Sequence, residues 1–169
     1  PLRRQRQMCI RDRLNLNDEH GIREAFNKLS EIAKEISEES PIEGILICEM
    51  IDNGVETVLG VVKDPVFGPT VMFGLGGIFI EILKDVTFRV APFDAKEAHM
   101  MINEIRGRAI LDGVRGAPPV DVDALAEALS QLSLFAATNI DNVDSIDLNP
   151  FIVLPRGAKI VDALIIASD

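Results

Sequence analysis

From Gly44 to Val90 the chain is a succession of short apolar runs broken by turn-forming residues. Gly44 to Ile51 (GILICEMI) reads as a strand buried on both faces. Asp52-Asn53-Gly54 contains an Asn-Gly pair, the sequence of a tight hairpin turn, and Val55 to Val62 is the expected return strand. Lys63 to Pro69 is rich in turn residues, and Thr70 to Phe73 resumes extended character. Ile78 to Leu83 and Thr87 to Val90 are predicted as two more short strands. So many short strands in succession demand a mostly antiparallel sheet.

Helices flank these runs. Asn17 or Asp18 caps a helix predicted to reach about Ser37, with Ile22, Phe26, Leu29, Ala33 and Ile36 as its apolar stripe. Asp94 and Glu97 have capping-box spacing, and Ala98, Met101, Ile102 and Ile105 follow on one face. After the loop Gly113 to Pro119, a third helix starts near Asp123 and carries Leu125, Leu129, Leu132 and Ala136. Two closing strands, about Ser145–Leu154 and Ala158–Ile166, are joined by Pro155-Arg156-Gly157. The order specifies an α+β lobe with helices packed on a mostly antiparallel sheet.

Composition removes several function classes. A formal charge of −10 argues against a nucleic-acid or anionic-membrane surface. With no Trp or Tyr there is no aromatic ladder for stacking bases. No apolar run reaches the roughly 20 residues of a membrane helix. Cys9 and Cys48 form neither a disulfide framework nor a metal-ligand spacing, which fits a reduced, cytoplasmic location. Cys48, inside an apolar run, reads as a core thiol. Residues 1–13 stand apart, with five arginines and one acid, Asp12, against 12 basic and 26 acidic residues in the rest. They read as a non-native or disordered leader, and 14–169 as the domain.

Candidate site residues fall in three groups. Gly74, Gly76 and Gly77 form a loop that would let backbone N–H groups meet a phosphate, or simply a tight connection between strands. Asp147 and Asn149 alternate onto one face of a strand, and the hairpin brings Asp162 alongside. Two carboxylates and an amide oxygen suit a hard cation such as magnesium, though polar residues also occur at strand ends for no ligand's sake. Glu49, Glu56 and Glu81 are acids on apolar strands that face either a ligand cleft or water. Lys63, Lys84 and Arg89 are near enough in sequence to meet phosphate oxygens, or are ordinary surface charges. His20 and His99 lack a nucleophile or carboxylate constellation and receive no catalytic role.

The run Val61 to Pro92, VVKDPVFGPTVMFGLGGIFIEILKDVTFRVAP, resembles the signature of the ATP-grasp domain in ADP-forming (NDP-forming) acyl-CoA synthetases. IDLNPFIVLPRGAKIVDAL, Ile146 to Leu164, is similar to that family's metal-binding hairpin and to that of succinyl-CoA synthetase beta subunits. The segment LDGVRGAPPVDVDAL between them fits the same pattern. The resemblance spans about Leu14 to Ala167 and implies the C-terminal lobe of an ATP-grasp domain. It implies an acetate–CoA ligase type of reaction: acyl-CoA, ADP and phosphate become acid, CoA and ATP by way of a phosphohistidine.

For the site, the resemblance implies magnesium held by Asn149 and Asp162 with Asp147 close by, and ATP or ADP as the nucleotide. It places Glu49 and Met50 at the hinge beside the adenine and Glu56 near the ribose. Lys63, Glu81 and Arg89 are assigned to the phosphate region. It implies as partners an N-terminal ATP-grasp lobe and a CoA-binding, phosphohistidine-bearing domain or alpha subunit, because the arginine-rich stretch stands where the family has its relay-histidine motif. On this reading the 169 residues alone are inactive. The competing expectation is a non-catalytic ATP-grasp-like regulatory or interaction domain of a larger acyltransferase.

Overall fold

A computed structural model describes residues 13–36, 44–77, 79–114 and 116–168. The expected leader, residues 1–13, lies outside the described residues except for Arg13. The chain divides into two compact units, Pro1–Ile51 and Asp52–Asp169.

The first unit contains helix α1, Glu19–Ile36. Asp18 starts it as expected: its Oδ1 accepts the Gly21 N–H at 2.7 Å. The pairs Arg23–Glu19 and Lys28–Glu24 lie one turn apart on its exposed side, where such pairs stabilise a helix only slightly. Gly44 to Ile51 is not a strand; the segment is irregular and largely exposed. Leu46 and Ile47 are 86% and 78% exposed. An apolar run becomes a strand only by pairing its backbone, and no strand among the described residues pairs with this one. Cys48 is therefore exposed, not a core thiol. The hairpin at Asn53-Gly54 is likewise absent: Asn53 is left-handed (φ 63°) but Gly54 is not.

The second unit is a six-stranded antiparallel sheet with two helices on one face. Its strands are β1 (Val55–Asp64), β2 (Gly68–Leu75), β3 (Val86–Val90), β4 (Val143–Val153), β5 (Ala158–Ile160) and β6 (Ala163–Ala167). They are ordered β3-β2-β1-β4-β5, with β6 also on β4. Asp64 Oδ1 accepts the N–H groups of Val66 and Phe67 and so closes the turn from β1 to β2.

Residues Phe79–Leu83, expected as a strand, form a π-helical turn. Gly74 of β2 already faces Val86 of β3, so the chain between them has to reverse and no sheet position is left for another strand. Gly77 (φ 60°) and Lys84 (φ 48°), both left-handed, bracket the reversal.

Helices α2 (Ala95–Asn103) and α3 (Val122–Thr138) are capped by Asp94 and Asp121. Half of the expected capping box forms: Asp94 accepts the Glu97 N–H, whereas the Glu97 carboxylate turns to Arg89. α3 lies over β2, β1 and β4, and α2 packs against α3. Leu59, Val61, Val71, Phe73 and Leu75 meet Met101, Ile102, Leu125 and Leu129 in one core. Burial of this apolar face is the main force holding helices to sheet. No helix among the described residues is long and apolar enough to cross a membrane.

Candidate functional site

The helices cover one face of the sheet, and strand alternation sends every second residue to the other. Thr57, Leu59 and Val61 of β1 point into the core, so Glu56, Val58 and Gly60 occupy the opposite face. Ile146 and Leu148 of β4 are core residues, which puts Asp147 and Asn149 on that opposite face as well. Thr57 then pairs with Phe151 but Leu59 with Leu148, so β4 carries one extra residue against β1. This bulge falls at Asn149-Pro150, where proline has no N–H to give the ladder.

Across the hairpin the register holds from Phe151 back to Ser145. Phe151 faces Ile160 and Leu148 faces Ala163, which leaves Asn149 facing Asp162. The Asn149 N–H donates to the Asp162 carbonyl at 3.2 Å, and the Val161 N–H to the Pro150 carbonyl at 3.0 Å. The expected second closing strand is thus interrupted at Val161-Asp162, between β5 and β6. Asp162 is exposed, and its Oδ1 accepts the Ala163 N–H at 2.9 Å. Asp147 lies diagonally from it on the same face, opposite Leu164.

Asp147 senses both its burial and its neighbour. Burial raises the Asp147 carboxyl pKa above the usual aspartate value, and the charge of Asp162 adds to the rise. No ion pair among the described residues neutralises either acid. Two carboxylates and an amide sharing one sheet face have the oxygen chemistry that suits a small divalent cation. No three His, Cys, Asp or Glu residues gather as a metal site among the described residues, so the set depends on the Asn149 amide.

The other predicted residues separate. Glu56 shares the Asp147 face of the sheet and is exposed. Lys63 belongs to the alternate, core-side set of β1, at the far end of the strand. Arg89 is also on the helix side. Its Nε meets Glu97 and its Nη2 meets Glu104, both at 2.5 Å, and its Nη1 donates to the Phe88 carbonyl. Glu104 first, then Glu97, raises the guanidinium pKa further. The fold therefore does not bring Lys63 and Arg89 to the face that holds Asp147. Glu81 lies in the π-helical turn. Glu49 and Met50 lie in the irregular segment of the first unit.

The glycines answer mainly to packing. A Cβ on Gly74 would meet Val86 Cγ1 at 2.9 Å and the Asp85 carbonyl at 3.0 Å. One on Gly76 would meet Glu56 Cβ at 3.0 Å, and the Gly76 N–H is already given to the Glu56 carbonyl at 2.8 Å. Gly77 has open space but a positive φ. Close backbone approach accounts for the first two and chain reversal for the third. The Gly76 N–H is not free for a phosphate. A shallow hollow beside α1, lined by Asn17, Ile22 and Phe26 among others, holds none of the predicted site residues.

Residues 10–167 match the family model of the ATP-grasp domain. The chain belongs to the ATP-grasp family. It is 41% identical over 155 residues to the beta subunit of ADP-forming acetate–CoA ligase II from Pyrococcus furiosus, a match covering 90% of this chain and 66% of that one. It is 39% identical over 144 residues to ADP-forming acetate–CoA ligase I of Archaeoglobus fulgidus, covering 85% of this chain and 21% of that protein. The chain thus spans just under two thirds of the beta subunit and about a fifth of the longer ligase. Among solved structures it is similar to the dinucleotide-forming acetyl-coenzyme A synthetase 1 of Ca. Korarchaeum cryptofilum. Against the complex with coenzyme A, Ca-AMPCP and HgCl+, the TM-score is 0.83 at 43% identity, covering 92% of this chain and 68% of the other. Against the complex with coenzyme A and Mg-AMPPCP it is 0.78 at 40%, covering 92% and 67%. The α+β lobe is that of an ATP-grasp domain.

Two acids that sequence reasoning passed over hold this ATP-grasp lobe together. Asp85, 8% exposed, accepts the backbone N–H groups of Arg106 and Gly107 at 2.9 and 2.8 Å. It ties the end of the turn before β3 to the chain beyond α2. Asp121 caps α3 through the Ala124 N–H and also accepts the Gly157 N–H at 2.8 Å, fixing the β4–β5 turn. The signal for Asp121 was its place before a helical run; Asp85 had none, because its partners lie 21 and 22 residues away.

Proposed function

We propose that the chain is the nucleotide- and magnesium-binding part of an ADP-forming acyl-CoA synthetase. The whole enzyme would make acid, CoA and ATP from acyl-CoA, ADP and phosphate by way of a phosphohistidine. The observation that carries this is that Asp147, Asn149 and Asp162 share the sheet face opposite α2 and α3. The relatives named above, all CoA ligases or synthetases, support it.

In this reading Asp147, Asn149 and Asp162 hold magnesium through oxygen atoms. Bound magnesium supplies positive charge to offset the phosphate oxygens of the nucleotide. Asp147 and Asp162 set the position of that charge, and the Asn149–Asp162 backbone bond keeps the two strands in register beneath it. Glu56, on the same face, is assigned to the ribose, and Glu49 and Met50 to the adenine. The partners are the remaining part of the relatives' length and a domain or subunit bearing coenzyme A and the phosphohistidine. Phosphoryl transfer depends on positioning from several sides, and this lobe offers one wall.

The test is ATP formation from acetyl-CoA, ADP and phosphate in the presence of a phosphohistidine-bearing partner domain. The chain by itself is expected to stay below about 1 turnover per second, within reach of typical enzymes only when the upstream part of its relatives is restored. No turnover after that restoration would contradict the assignment.

A further inference from the structure

Gly60 sits mid-strand in β1, between Met72 of β2 and Asp147 of β4. Glycine in a strand interior weakens it, and the φ here is not one that only glycine adopts, so the reason for Gly60 is space. That space is filled: a Cβ at Gly60 would lie 3.3 Å from Met72 Cε and 3.7 Å from Met72 Cβ. The Met72 side chain thus lies over Gly60, on the same sheet face as Asp147. We propose that Met72, lying across Gly60, is a positioning residue of the cation site.

The inference rests on reading Asp147, Asn149 and Asp162 as magnesium ligands. Alternation gives Met72 and Asp147 the same face with only the bare Gly60 between them. An apolar thioether on that side denies water to one flank of the carboxylate. Bulk on that side limits the room into which the Asp147 side chain can swing away from Asn149 and Asp162. Neighbours that orient a metal ligand typically alter metal affinity by about 10–100-fold when removed. Methionine suits the role because an unbranched side chain can lie along a strand where a branched one would stand up from it.

The experiment uses the full chain and Mn2+ alone, with free Mn2+ read by electron paramagnetic resonance. Met72→Ala is expected to weaken Mn2+ binding about tenfold. Gly60→Ala, whose new methyl pushes the Met72 methyl aside by a few tenths of an ångström, is expected to weaken it in the same direction but less. Met72→Leu, which keeps the apolar bulk, is expected to stay within about twofold of the parent. Thermal unfolding in chelator is measured for each, since Gly60→Ala adds a better strand former and need not lower stability. Equal Mn2+ binding by the parent, Met72→Ala and Gly60→Ala overturns the inference and leaves the metal assignment standing. Loss in Met72→Leu as large as in Met72→Ala also overturns it. A parent chain that binds no Mn2+ overturns the metal assignment, and this inference with it.

Discussion

Asn149 faces Asp162 across the closing hairpin, its backbone N–H donating to the Asp162 carbonyl at 3.2 Å. The bond lies at the break between β5 and β6 and beside the β4 bulge, so a backbone bond holds the two strands together at this irregular place. The Asp162 carboxylate is exposed and accepts the neighbouring Ala163 N–H, which leaves it reachable by a ligand. Asp162→Ala is therefore expected to change unfolding free energy by less than about 0.5 kcal/mol. Urea denaturation in chelator checks this; a loss of several times that size would make Asp162 a structural residue.

Asp85 is expected to matter for stability and not for ligand binding. Its carboxylate satisfies two backbone N–H groups in a buried place, and Asp85→Ala leaves both without their partner. The expected loss is about 1–3 kcal/mol. A shift of the urea midpoint with unchanged slope would support this, and an unchanged midpoint would contradict it.

Asp121 makes a pH-dependent contribution whose sign is set by its partners. The N–H of Gly157 first, and that of Ala124 second, hold its carboxyl below the usual aspartate value. A depressed folded pKa stabilises above the unfolded value, about 3.9, and that stabilisation is lost as pH falls through the folded value. Asp121→Ala should melt lower than the parent at neutral pH, and the difference should shrink in acid below about pH 3.9. A difference that does not change with pH would assign the effect to something other than the charge.

Much of the sheet was legible because each strand alternates against one helical layer. The run Val55 to Val62 marked β1, Asp94 marked the start of α2, and Asp123 marked α3 two residues past its true cap, Asp121. Asp147, Asn149 and Asp162 were legible together because alternation and hairpin register are local rules. Gly44 to Ile51 misled because apolarity states a need for burial and not a partner. Ile78 to Leu83 misled for the same reason, its place in the sheet being already taken by the β2–β3 pairing. The break at Val161-Asp162 had no signal, since apolar residues continue on both sides of it. Arg89 looked available for phosphate, yet its neighbours Glu97, in α2, and Glu104, just past its end, come from its own face of the sheet, a relation set by tertiary structure.

The central claim is that this face of the sheet binds nucleotide through magnesium, and calorimetric titration of ADP tests it most directly. ADP would be titrated into the parent and into Asp162→Ala, each with magnesium and with chelator. The account predicts weak binding by the parent that requires magnesium, and affinity lower by about tenfold or more in Asp162→Ala, consistent with loss of a metal-site group. Binding of equal strength in both proteins, or binding by the parent that is indifferent to magnesium, would contradict it.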